Sequence, residues 1–142
     1  MVKFKLVMVL AASLAVALTG GCITGKKGPS DKELVAQTLG EWKAALEAQD
    51  IDKMLLCYSD SYQGDQGEGK AQLAEFLENV KTQGYLEGAE VDLEDAETVI
   101  ENGIATVAPV DLSSDAGGLT LELKLKKDPD DIWRITGTGD YY

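Results

Sequence analysis

The reading of the fold turns on Leu119-Thr120-Leu121-Glu122-Leu123-Lys124-Leu125-Lys126. Four leucines alternate with Thr, Glu and two Lys, the period of two that puts one face of a strand in a core and the other in water. Such half-buried strands belong to antiparallel sheets. Lys127-Asp128-Pro129-Asp130-Asp131 then turns the chain into a last strand around Trp133 and Ile135. Upstream, Ser113 to Gly118 is the preceding turn, and Asn102-Gly103 between two apolar runs predicts a type I′ hairpin. A two-residue loop there pairs Ile100 with Ala105 and Thr98 with Val107 on one face, leaving Glu97 and Glu101 on the other. Before it, Ala89, Val91 and Leu93 alternate with Glu90, Asp92 and Glu94. Sending both apolar sets inward requires a bulge, expected near Asp95.

Ahead of Gly84 the period is helical. Ser30-Asp31-Lys32-Glu33 has the form of a capping box, with Pro29 just before it. Val35, Leu39, Trp42 and Leu46 follow as one stripe, widened by Leu34 and Ala45, with an end expected near Gln49. A short second helix runs through Met54, Leu55 and Tyr58, capped by Asp50 or Asp52. Ser59 to Gly69 reads as a polar loop with a short strand near Tyr62. Leu73, Phe76, Leu77 and Val80 then mark a third helix, with Gly84 as its C′ residue. Helices followed by a meander of strands define an α+β domain, with helices packed on one face of an antiparallel sheet.

Composition narrows the chemistry. The 142 residues include 13 Lys+Arg, 25 Asp+Glu and no His, a formal charge of −12. Without His there is no Ser-His or Cys-His nucleophile pair, and the usual catalytic zinc sites are closed off. An excess of acid argues against nucleic acid as a partner. Between Lys81 and Lys124 there is no basic residue and there are ten acids, many of them opposite apolar positions, which reads as a solvated outer sheet face. The acids and glycines of Asp60 to Glu68 miss the spacing of a calcium loop, so no metal or cofactor is expected.

The N-terminus reads as an address. Lys3 and Lys5 precede an uncharged run from Leu6 to Leu18, too short for a permanent span but suited to a signal peptide. Leu18-Thr19-Gly20-Gly21-Cys22 resembles the lipobox of bacterial lipoproteins, with Leu18 one residue further from the cysteine than is usual. The resemblance implies a signal peptide over 1–21, diacylglycerol on Cys22, a tether over 22–30 and a domain over 31–142. Removing Lys3 and Lys5 leaves 11 basic against 25 acidic residues, a formal −14. Ile23 after the cysteine implies a place in the bacterial cell envelope on the outer membrane, facing the periplasm, in a host that has one. The tether reaches at most about 30 Å. Cys57, between Leu56 and Tyr58, is then the only thiol left and reads as a small buried apolar residue.

Trp42 to Asp50, then Asp52, Met54, Leu55, Tyr58 and Ser59-Asp60, together with the hairpin Leu123 to Ile135, resemble nuclear transport factor 2-like domains. The nearest pattern there is the ketosteroid-isomerase and SnoaL-like polyketide-cyclase group. The resemblance implies a cone-shaped roll in which a curved sheet wraps helices around a blind pocket. It puts Trp42 at the position of an oxyanion-binding Tyr, Gln66 at the general base with Asp65 beside it, and Leu121 where a protonated acid would stand. With those positions changed and His absent, the expected function is a non-catalytic envelope lipoprotein. Its domain would bind a small apolar ligand or an envelope protein. The alternative is an isomerase- or cyclase-type enzyme with Asp65 or Asp60 as base and Trp42 as donor. A third reading is a homodimer through the open sheet face. Trp42, Tyr58, Tyr62, Phe76, Leu121 and Trp133 are the residues expected to line the pocket.

Overall fold

A computed structural model describes residues 28–142; the expected signal peptide, Cys22 and the expected tether up to Lys27 lie outside the described residues. The chain runs α1 (Asp31–Glu47), α2 (Ile51–Leu56), α3 (Lys70–Thr82), β1 (Glu90–Asp92), β2 (Glu97–Glu101), β3 (Ile104–Ser114), β4 (Gly117–Lys127) and β5 (Trp133–Asp140). No helix among these is long and apolar enough to cross a membrane.

Local chemistry sets the helix ends. The Glu33 amide donates to Ser30 Oγ at 3.2 Å and the Ser30 amide donates to Glu33 Oε2 at 2.6 Å, the reciprocal capping box. Helix α1 stops at Glu47, two residues before the expected end, because Gln49 takes a left-handed φ of 55°. Asp50, not Asp52, caps α2 by accepting from the Lys53 amide. Gly84, at φ 80°, follows α3 as the C′ residue.

The sheet is antiparallel, in the order β1-β3-β4-β5, with β2 also paired to β3. At the Asn102-Gly103 turn both residues take positive φ, and Ile100 faces Ala105 while Thr98 faces Val107, the expected register. The parity problem is solved elsewhere than expected. The chain leaves the sheet at Leu93–Ala96, so β1 and β2 lie end to end along one edge of β3. The register shift sits on β3, between Val107 and Val110, not near Asp95. Pro109 has no N–H to give the ladder, so this is where the strand can spare an unpaired residue. The shift turns Val110 inward after Val107 and lets Val91 and Thr98 share the inner face. A second shift around Thr136 follows Ile135 with Thr138 on the inner side of β5.

The inner face meets α1. Val35, Leu39, Trp42, Ala45 and Leu46 are buried against Val107, Leu123, Leu125 and Ile135 in one core. Each fully buried side chain of this size contributes about 1.5–3 kcal/mol. The β4–β5 turn is tied to the helices by Arg134, whose Nε donates to the Leu56 carbonyl at 3.2 Å. Its guanidinium nitrogens donate to Asp128 at 3.0 Å and Asp130 at 2.9 Å. Asp128 also accepts from buried Ser59 Oγ at 2.8 Å. Beyond α2 the chain runs along the free edge of β5: Ser59 N donates to the Ile135 carbonyl and Gln63 N to that of Thr136. The short strand expected near Tyr62 does not form; the segment keeps only isolated bridges, Tyr58 to Ile135 and Gln63 to Gly69. The acids from Glu87 to Asp115 are exposed, and Glu122 is half-buried.

Candidate functional site

The leucine stripe of β4 runs out of the core into open space. Leu123 and Leu125 are fully buried, Leu121 is half-buried, and Leu119 is 53% exposed. Helix α1 covers the first pair, and over the second pair the sheet curves away. Helix α3 stands opposite and does not close down on it. Between them lies an open cavity of about 930 Å³, within the range of small-molecule sites.

Its floor is Trp42, Leu46, Met54 and Tyr58; one wall is Leu73, Phe76, Leu77 and Val80 of α3; the opposite wall is Leu112, Leu119 and Leu121 of the sheet. Phe76 is 60% exposed and Tyr85 52%, and both line this space along with Leu119. Three of the exposed large apolar side chains thus stand on one cavity, while Leu56, Val99, Ile132, Tyr141 and Tyr142 lie elsewhere.

Few polar groups enter it. Trp42 Nε1 donates to Tyr58 Oη at 3.1 Å deep in the floor. The indole N–H is thus engaged by protein, and the hydroxyl hydrogen of Tyr58 is the donor the floor can offer a guest. Burial pushes the Tyr58 hydroxyl pKa well above its ordinary value, so it stays protonated. Tyr62 Oη shares a hydrogen bond of 3.0 Å with Thr138 Oγ1, and burial raises its pKa as well. At the mouth stand Gln66, Gly67, Glu68 and Gln72.

Of the residues expected in the lining, Trp42, Tyr58, Tyr62, Phe76 and Leu121 are there. Phe76 stands open on the wall instead of buried in the core. Trp133 is a correction. It lies at the opposite end of the core, its Nε1 donating to Asp31 Oδ1 at 3.1 Å, with Lys127 Nζ 5.7 Å above its ring. The β4–β5 turn holds it under the start of α1, where Thr38 Oγ1 donates to its carbonyl at 2.6 Å. The carboxylates considered as bases stand outside the cavity. The Asp60 side chain is 99% exposed and paired with Lys70 at 3.0 Å, and Asp65 is exposed in the loop beyond the lining. Cys57 is buried, with its thiol pushed up to about 11 by burial and the nearby charge of Glu41. Among the described residues no group of His, Cys, Asp and Glu could hold a metal ion.

Sequence reasoning missed Glu68, Tyr85, Leu112 and Leu119 as cavity residues. The signal for Leu119 was available: it shares the alternation of Leu121, Leu123 and Leu125, so the period of two already put it on the inner face. Glu68 gave no such sign, since a lone acid between two glycines reads as loop.

No protein-family model matches the sequence, and no curated protein does. Solved structures do. Bd1075 of Bdellovibrio bacteriovorus superposes with a TM-score of 0.63 at 19% identity, over 78% of this chain and 41% of that one. The helical cell shape determining protein Pgp2 of Campylobacter jejuni matches at 0.62 and 16%, again over 78% of this chain and 41% of that one. An NTF-2 like protein of unknown function from Shewanella oneidensis matches at 0.59 and 20%, over 77% and 97%. The chain thus spans about two-fifths of the length of the first two and nearly all of the third. The fold is an α+β nuclear transport factor 2-like roll, with helices packed on a curved antiparallel sheet.

Proposed function

We propose that this chain is a lipid-anchored envelope protein whose domain binds a small apolar molecule without transforming it. The observation that carries the binding reading is the ring of exposed Phe76, Tyr85 and Leu119 around an apolar cavity of about 930 Å³. Uncovered apolar surface of this kind has a cost that a guest removes, at about 25 cal/mol per Å² buried. The non-catalytic reading rests on the placement of Asp60 and Asp65 outside the lining and on the engagement of the Trp42 N–H by Tyr58. Neither carboxylate lines the space against Trp42, where a general base would have to stand. The anchor rests on the order of Lys3, Lys5, the apolar run, the glycines and Cys22.

Binding is tested by calorimetry on the full chain in lipid nanodiscs, with empty nanodiscs as blank and 4-phenylbenzyl alcohol as a neutral apolar probe. Saturable binding that is weakened when Leu121→Trp narrows the cavity at its sheet wall supports the reading; equal heats for both proteins overturn it. Turnover of a ketosteroid that disappears in Asp65→Ala or Asp60→Ala would establish the enzyme instead. The anchor is tested by labelled palmitate, which should attach to the wild type and not to Cys22→Ser.

A further inference from the structure

We propose that Glu68 makes this cavity select apolar molecules that carry a cationic amine over carboxylates of the same shape. The inference deepens the apolar-binding reading and rests on it. Glu68 is the one Asp, Glu, Lys or Arg among the described residues that line the cavity. Its place is built by the loop. Glu68 Oε2 accepts from the Gln66 amide at 3.0 Å, and the carboxyl lies against Gly64, where a Cβ would fall 1.8 Å from Oε1. Only a glycine at 64 leaves room for the carboxylate to stand at the mouth in this way. One backbone N–H satisfies a small part of what two carboxylate oxygens can accept, so there is capacity left for a donor on a guest.

The Tyr62 ring lines the cavity close enough to Glu68 to feel its charge, and aromatic rings attract ammonium groups. Asp65 stands close enough to Tyr62 that its charge, like that of Glu68, helps hold the phenol protonated. The nearest basic residue in sequence, Lys70, is drawn off to Asp60 at 3.0 Å. A carboxylate guest would therefore enter with no cation to meet it, and an unpaired charge taken from water is costly. An amine would meet Glu68 at the rim, where water still screens the pair. Attraction there is worth about five- to tenfold in affinity.

The test compares 4-phenylbenzylamine, 4-phenylbenzyl alcohol and 4-phenylbenzoate, which share one apolar body, on the full chain in nanodiscs of neutral lipid at pH 7. The expected order is amine about five- to tenfold tighter than alcohol, with benzoate weakest. Glu68→Gln should bring amine and alcohol within about twofold. Glu97→Gln, which removes an equal charge from the outer face of β2, should leave the order intact. An amine bound no better than the alcohol, or a preference that survives Glu68→Gln, overturns the selection while leaving apolar binding standing. Failure of the alcohol itself to bind overturns both.

Discussion

Phe76→Ser separates stability from binding, because this side chain is 60% exposed on the cavity wall. A Phe side chain offers roughly 200 Å², so about 120 Å² is exposed and about 80 Å² is already covered. At about 25 cal/mol per Å², the covered part accounts for about 2 kcal/mol at most, and a compact denatured chain reduces that further. The exposed part contributes nothing to folding, yet a guest that covers half of it gains about 1.5 kcal/mol, about tenfold in affinity. Thermal unfolding and calorimetry with 4-phenylbenzyl alcohol on the same samples read both quantities. The expected outcome is a fall in Tm of a few degrees with affinity reduced about tenfold. Unchanged affinity would refute the assignment of Phe76 to a binding wall. A fall in Tm beyond about 10 °C would show that α3 closes on the sheet and that Phe76 is core.

Leu123→Ala, at a fully buried site under α1, should cost about 2–5 kcal/mol in urea unfolding, whereas Leu119→Ala should cost under about 1 kcal/mol. Ser30→Ala removes one half of the capping box and should destabilise by about 1 kcal/mol in the same assay, with Ser30→Asp close to wild type. Stability should also fall at both ends of the pH scale. Asp31, held low by hydrogen bonds from Lys127 and then Trp133, and Glu47, held low by Lys43 and then the Val91 amide, favour the folded state above their ordinary values of 3.8 and 4.5. That contribution is lost as pH falls through their folded values, so acid unfolding should begin below about pH 4.5 and Asp31→Asn should flatten part of it. At the alkaline end the Cys57 thiol, near 11 when folded against 9.0 ordinarily, favours folding below pH 9, and that stability fades between pH 9 and 11. Cys57→Ala should lessen the alkaline loss in circular-dichroism melts taken across that range; an unaltered profile would remove the thiol from the account.

What was legible in the sequence was whatever depends on near neighbours. The capping box at Ser30, the Asn102-Gly103 hairpin and its register, and the Gly84 helix end each follow from two to four adjacent residues. The α1 stripe and the outward acids of the sheet were legible for the same reason, through period alone. Features set by how far one element reaches over another were not. The parity change between Val91 and Thr98 was correctly required, but its position was assigned to the connecting turn when the central strand absorbs it at Pro109. Trp133 has the composition of a pocket residue, and only the β4–β5 turn places it under the far end of α1. Leu119 and Leu121 share a stripe with Leu123 and Leu125; the curvature of the sheet, which no local pattern encodes, divides them into wall and core.

The fastening of α1 has a mechanical consequence. Any pull transmitted along the upstream chain enters at Ser30 and meets three attachments within two turns: Asp31 to Lys127 at 2.8 Å, Asp31 to the Trp133 indole, and Thr38 to the Trp133 carbonyl. The floor residue Trp42 lies eleven residues on, about 16 Å along the helix axis. Tension would load the β4–β5 turn, which Arg134 braces through Asp128 and Asp130, before it reached the cavity. The end of α1 that would take such strain and the end that carries the cavity floor are thus separate parts of one helix.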